Sequence, residues 1–565
     1  MAVGAGDAGF PVATGDETKR RDARLAVARG WPSWRALPWG GASSSTDSLA
    51  GSREGVLLSV WAMEATRALA VAAVVSTLAA GLFRGDGRHG PARAMDPSTP
   101  WLAQCGDAAF PARGTHPVDS RSPCAHRPTA VVAVQLTLVL GSLLTFPVAS
   151  RVADADGLGF PAALAAAAAT APVVAIGYAR AGVTRVTPAL LATRLLAGAH
   201  KSFNDLGQES GISVAFTPGA KGTGAAFGSR VAAGCVFGIV APAAVSRAAA
   251  GVGASRVFDG IAVVGACAFC VVMGLVVLPA CRGGNDRRLP ENGAREGNGG
   301  AARAGRPEKD EALPEKEAGS RDVGGGGGAL EFGLSFPPSR SLLSSWRELV
   351  ADGETRLLVF TAASVGTVEF ALEGPVMMAL GGVFGFDDAA NAAFLAAYNV
   401  PRGVVSVFAE PILRRVSAQT LAAGGLLSAA CGIAWLAALG ELCAGRADDR
   451  ADRLATRARA LPLSFVSAVA LGLGAVCVHV SLPLLLARAA AKPRHGARYG
   501  AAFGLSAVMA KAGGGAFGMG LAAVAVERVG FTGAFGGVAA VVLAGAGAVA
   551  AAGGNWRVAF EKERA

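Results

Sequence analysis

The sequence predicts an all-α membrane protein, with twelve transmembrane helices arranged as two six-helix bundles. Three observations carry this. Apolar runs of about 20 residues or more recur along the chain, each long enough to cross roughly 30 Å of hydrocarbon as a helix. A hydrophilic, low-complexity stretch divides them six and six. Segments at corresponding places in the two sets also resemble one another.

The bulk composition agrees. Of 565 residues, 52% are hydrophobic and 16% charged, too apolar for a soluble enzyme of this length. The 78 glycines point to closely approaching helix backbones, although codon bias explains them as well. The net charge of +11 sits in tails and loops between apolar spans, where it serves topology, so nucleic acid is excluded as a partner.

Residues 1–54 are rich in Gly, Ala and Arg, lack the apolar core of a cleavable signal, and read as a disordered tail. Asp7, Asp16, Glu17 and Asp22 argue against an acid-poor transit peptide, which leaves open which membrane holds the chain. The first bundle, 55–280, has spans at 55–83, 130–150, 158–178, 187–216, 224–246 and 257–280. Its hydrophilic loop 84–129 holds Cys105 and Cys124, a candidate disulfide if the loop faces an oxidising compartment. Cys267 and Cys270 lie inside an apolar span and read as packing, not metal ligands. Residues 281–353 form an expected disordered linker. The second bundle, 354–555, has spans at 357–380, 389–412, 418–442, 461–487, 500–526 and 531–552, and 556–565 form a tail. An even number of spans puts both termini and the linker on one side of the membrane.

The repetition is local but placed alike. The fifth span opens Gly224-Ala225-Ala226-Phe227-Gly228 and the eleventh Gly500-Ala501-Ala502-Phe503-Gly504, each after a proline loop. The second span ends Pro147-Val148-Ala149-Ser150-Arg151-Val152, which is aligned with Pro411-Ile412-Leu413-Arg414-Arg415-Val416 at the end of the eighth.

Ionisable residues inside a span are costly unless paired or facing water, so each marks a candidate function. Spans one, four, seven and ten carry Glu64 and Arg67; Arg194, Lys201, Asp205 and Glu209; Glu369 and Glu373; and His479. These spans open each three-helix unit, which points to one polar pathway for substrate or protons. Steps of seven, four and four put the four charges of the fourth span on one stripe. Glu64 with Arg67, and Lys201 with Asp205, are spaced to neutralise each other locally. Glu369 and Glu373 stand one turn apart, and two such carboxylates do not both ionise cheaply, as a proton carrier requires. A basic partner or headgroup for one of them is the alternative. Arg402 and Lys511 lie in spans eight and eleven.

Several motifs resemble the major facilitator superfamily, above all its drug:proton antiporter and tetracycline-transporter-like branch, over roughly residues 55–555. Arg194-Leu195-Leu196-Ala197-Gly198 resembles the superfamily's Arg-x-x-x-Gly signature, which implies a proton-coupling role for Arg194. Pro147 through Asp154 and Gly157 resembles its gating loop, implying gating roles for Arg151, Asp154 and Gly157, although Ser150, Leu158 and Gly159 depart from the pattern. Gly234, Gly238 and Pro242 resemble an antiporter helix-packing motif, with the proline displaced. Phe384 through Asp388 to Arg414 and Arg415, and Pro483 to Gly518, resemble the tetracycline-transporter-like group.

A secondary active transporter follows as the expected function, moving a small solute by alternating access with proton coupling, and most simply as a monomer. An uncoupled facilitator and a non-cycling transporter-derived receptor or scaffold are the alternatives. No Ser/His/Asp grouping, metal-ligand cluster or phosphate-cradling loop stands where the topology would assemble it, so neither an enzyme, a metal nor a cofactor is expected.

Overall fold

The computed structural model describes residues 53–78, 128–155, 159–182, 187–216, 222–281, 341–384, 386, 388–444, 450–492 and 498–564. Among the described residues all regular structure is helical. Among these residues nine helices are long and apolar enough to cross a membrane, or ten when one sharply bent pair counts as a single span. This makes the chain a multi-pass integral membrane protein. Cys105, Cys124 and Gly157 lie outside the described residues.

The first half comprises α1 (Arg53–Leu78), α2 (Pro128–Ala153), α3 (Gly159–Ala181), α4 (Pro188–Ala215), α5 (Thr223–Val252) and α6 (Ala254–Val272), which continues through a π turn at Met273–Val277. α4 begins where expected of its sequence: the Thr187 hydroxyl accepts from Leu190 N at 3.1 Å, and Pro188 fills the first turn, where no N–H is needed. At 28 residues α4 is of spanning length, and its charges keep it out of the apolar set.

The last residues of the segment expected to be linker form instead a short amphipathic helix, α7 (Leu342–Ala351), capped by Ser341. The second half continues with α8 (Gly353–Ala371), which runs through a π turn at Leu372–Val376. Pro375 lies in that turn, lacks an N–H and crowds the preceding carbonyls, a common cause of such a bulge. α9 (Asp388–Val407) meets α10 (Ala409–Arg415) at a 66° bend. α11 (Ala418–Ala444), α12 (Arg450–Ala490) and α13 (Tyr499–Gly513) follow, and a π turn at Gly514–Leu521 leads into α14 (Ala522–Arg564). Gly530, at φ 79°, breaks α14 in a conformation that a side chain would strain.

The two halves repeat one packing pattern. α1 packs on α5 and α6 as α8 does on α13 and α14; α2 packs on α4 as α9 does on α12; and α3 packs on α4 and α6 as α11 does on α12 and α14. Two seams join the halves, α2 on α13 and α9 on α5. Lipid tails are as apolar as Leu, so close packing and interhelical hydrogen bonds hold such a bundle together. The α2–α4 crossing shows both. A Cβ on Gly141 would run into the Leu195 carbonyl, and one on Gly198 into that of Leu138. Across the same contact Ser142 Oγ donates to Gly198 O at 3.0 Å and Thr145 Oγ1 to Ser202 Oγ at 3.0 Å. Gly198 of the Arg-x-x-x-Gly motif thus has a steric reason to be glycine.

The seams correct one half of the repeat. Gly224 and Gly228 of α5 face Glu410 and Ser406, just as Gly500 and Gly504 of α13 face Asp154 and Ser150. The equivalent of residues 147–154 is therefore 403–410, eight residues before the segment aligned with it on sequence. In this register Val148, Ser150, Ala153 and Asp154 match Val404, Ser406, Ala409 and Glu410. The alignment on Pro147 and Pro411 fails because the 66° bend lies within the second copy and places Pro411 beyond it.

Candidate functional site

α1 contributes Glu64 and Arg67 one turn apart, with Arg67 Nε 3.4 Å from Glu64 Oε2. α4 contributes Lys201, Asp205, Gln208 and Glu209. The group that gathers them is Arg230 of α5, which the sequence reading missed. Arg230 Nη1 is 2.6 Å from Glu209 Oε1, its Nε donates to Gln208 Oε1 at 2.6 Å, and its Nη2 is 3.4 Å from Asp205 Oδ1. Its Nε also lies 3.7 Å from Glu64 Oε1. Arg67 Nη1 reaches the same Asp205 oxygen at 3.2 Å. Glu64 is 2% exposed, and a Cβ on Gly234 would sit 3.2 Å from its Oε2, so Gly234 leaves room for the buried carboxylate.

Of the two local pairs expected, Glu64–Arg67 forms and Lys201–Asp205 does not. The Asp205 carboxylate turns to the two arginines, whose several donors suit shared carboxylates better than one ammonium does. The stripe on α4 is also divided. Arg194 is buried away from the cluster, with its Nη1 donating to the Tyr178 hydroxyl at 3.3 Å. It stands seven residues, about 10 Å along the axis, from Lys201.

The second half faces this group with Glu369 on α8, Glu373 in its π turn, Arg402 on α9, His479 on α12 and Lys511 on α13. His479 Nε2 and Glu369 Oε1 are 2.6 Å apart. The expected conflict between the two carboxylates is thus eased by a histidine partner for one of them. Arg402 lies over the Tyr398 ring, 4.7 Å from its centroid, and donates from Nη1 to Asn399 Oδ1 at 3.1 Å. Asn399 Nδ2 in turn donates to Gly238 O at 3.4 Å, tying α9 to α5. Pro242 lies one turn further along α5. Lys511 is buried, with its ammonium 4.9 Å from the Phe370 ring centroid.

At the seams, Asp154 caps α13: its Oδ1 accepts from Gly500 N at 2.6 Å and its Oδ2 from Ala501 N at 2.7 Å. Helix N-termini offer unsatisfied N–H groups and a favourable dipole to an anion. Glu410 takes the corresponding place at α5, with Oε1 accepting from Gly222 N at 3.4 Å and lying 3.5 Å from Arg414 Nε. Arg151 and Arg415 are exposed. Beside the first seam, Trp346 of α7 donates from Nε1 to Ala501 O at 3.0 Å, and Arg498 Nη1 to Ser345 Oγ at 2.6 Å.

Burial pushes the Asp154 carboxyl up to about 6, against the two amide hydrogen bonds and the nearby Arg498 charge, which lower it. A carboxyl that binds its proton more tightly in the joined seam than in water favours the joined seam at low pH. That preference is lost as pH rises through about 6. Spin-label distances across α2–α13 are therefore expected to shorten on average between pH 7.5 and 5. The shift should vanish in Asp154→Asn, and a pH-dependent distance in that variant would refute the assignment.

No family model matches the chain, and no curated protein matches it. Among solved structures it is similar to the crystal structure of the human organic anion transporter MFSD10 (TETRAN), at 14% sequence identity, with 88% of this chain and 98% of that chain covered and a TM-score of 0.47.

Proposed function

We propose that the chain is a secondary active transporter of twelve spans in two six-helix bundles, moving a small solute by alternating access and coupling it to protons. The observation that carries this reading is the charged cluster, built by both halves from helices that otherwise need only lipid-compatible side chains. Charges at such depth each cost several kcal/mol, and they mark substrate and ion pathways. A count of twelve is supported if α4 and the bent α9–α10 pair are each taken as a span and the helix from Tyr499 is divided at Gly530, beside the other eight of the nine apolar helices among the described residues. Asp154 and Glu410 supply contacts that a rocking motion makes and breaks at one face of the molecule. Those contacts are made to backbone amides.

Protons enter and leave through the Glu369–His479 pair, with Glu373 one turn away as a second carboxyl. In proteoliposomes holding the full-length protein, screened over a panel of small solutes under an imposed pH gradient, Glu369→Gln is expected to abolish gradient-driven uptake while keeping counterflow exchange. Gradient-driven uptake that persists in Glu369→Gln, Glu373→Gln and the double variant would show that the carrier is uncoupled. A protein that moves no compound in either assay is not a transporter.

A further inference from the structure

Resting on that reading, we propose that the transported solute is an organic anion whose carboxylate is held between Lys201 of the first half and Lys511 of the second. The cluster is uneven in how its charges are satisfied. Glu64, Asp205 and Glu209 are in contact with Arg67 and Arg230, and Glu369 with His479. Lys201 and Lys511 make no ion pair among the described residues.

Lys511 is 6% exposed and rests on an aromatic face instead of an acceptor. An ammonium at that depth without an acceptor in contact forgoes the hydrogen bonds that offset its desolvation. Arg402 adds a third cation whose buried Nε has no hydrogen-bond partner. The cluster as a whole balances five cationic side chains against five carboxylates, so what it lacks is an acceptor in contact, not negative charge.

The position of the two lysines gives the missing acceptor a role. α4 packs on α13, and the Lys201 charge acts on Lys511 across that contact. The two ammonium groups come from opposite halves, and the charges of Asp205, Glu369 and Glu373 act on both; of these three, Glu373 makes no ion pair among the described residues. A solute carboxylate has two oxygens and satisfies both ammonium groups at once. It thereby bridges the two halves. The rings of Phe370 and Tyr398 beside these cations suit an anion with an apolar body.

The test uses full-length protein in detergent and pairs of compounds of one shape: benzoate with benzamide, nicotinate with nicotinamide, and phenylacetate with phenylacetamide. Inorganic phosphate and sulfate test for an anion site without an organic requirement. At least one acid is expected to raise the thermal midpoint where its amide does not. Its affinity should fall about ten- to hundredfold in Lys511→Met and in Lys201→Met, as expected for loss of a charge-assisted hydrogen bond. Lys511→Arg should restore most of it, and Arg256→Gln, exposed and outside the cluster, should leave it unchanged.

Acids and amides that act alike would overturn the proposal, and so would an acid-selective shift that survives in both lysine variants, or phosphate and sulfate matching the best acid. Reconstituted protein that carries amides and rejects acids would overturn it while leaving transport standing. Acids that bind as described but are never carried would leave the anion site standing and overturn the transporter reading.

Discussion

Replacing Arg230 by methionine is expected to destabilise the folded protein by about 3–5 kcal/mol, the penalty for stripping a buried ion network of its central partner. Methionine keeps much of the bulk, so the effect is electrostatic. Glu209 loses its 2.6 Å contact, Gln208 its donor, and Asp205 and Glu64 each lose one of two cations. Folded domains have only about 5–15 kcal/mol in hand, so the loss should appear as a large drop in thermal midpoint and in the monodisperse fraction after detergent extraction. Arg67→Met should cost less, because the Arg67 side chain is 33% exposed against 13% for Arg230, and water covers part of the loss. Adding Glu209→Gln to Arg230→Met should recover part of the stability by removing a stranded charge. Arg230→Met no worse than Arg67→Met would show that the network has no such centre.

Gly228→Val is expected to open the α5–α9 seam. A Cβ at Gly228 would run into the Ser406 carbonyl and come within 2.8 Å of the Ala409 Cβ, so the backbones must part. Overpacking of this kind costs about 1–3 kcal/mol. Charged to the joined state alone, that is roughly a 5- to 150-fold shift towards the open one. Cys235 reports on it: it is 1% exposed on α5, two turns beyond Gly228 and next to Gly403 of α9. In a variant keeping Cys235 as its sole cysteine, reaction with a water-soluble maleimide should accelerate by that factor in Gly228→Val. Gly500→Val should act alike at the other seam, where its Cβ would lie 2.6 Å from the Ser150 carbonyl. Unchanged labelling in both variants, with the thermal midpoint preserved, would refute the idea that these glycines set the joined state.

The all-helical, membrane-spanning character was legible in the sequence because lipid imposes it: spans must be long, apolar and helical, and those features are visible in one dimension. The Gly-Ala-Ala-Phe-Gly repeat was legible because both copies meet the same steric demand at a seam. Its partner segment was misaligned because a bend, which the sequence does not announce, shifts the second copy. Placing charges on spans one, four, seven and ten anticipated most of the cluster, but who pairs with whom did not follow. Spacing along one helix favoured Lys201–Asp205, whereas neighbouring helices supplied two arginines. Arg230, seven residues after Thr223 in α5, finds its partners on α1 and α4, so no pairing signal lies within its own helix. The signal available was that Arg230 follows a five-residue repeat whose second copy is followed by Ser506.

The two seams are unequal latches. Asp154 is fastened by two amide bonds of 2.6 and 2.7 Å, whereas Glu410 is held by one of 3.4 Å and shares its oxygen with Arg414. Two short bonds resist extension more than a single long one. Under the alternating access proposed above, the α5–α9 side is expected to let go first, with the bundles swinging about α2–α13 like a door about its hinge post.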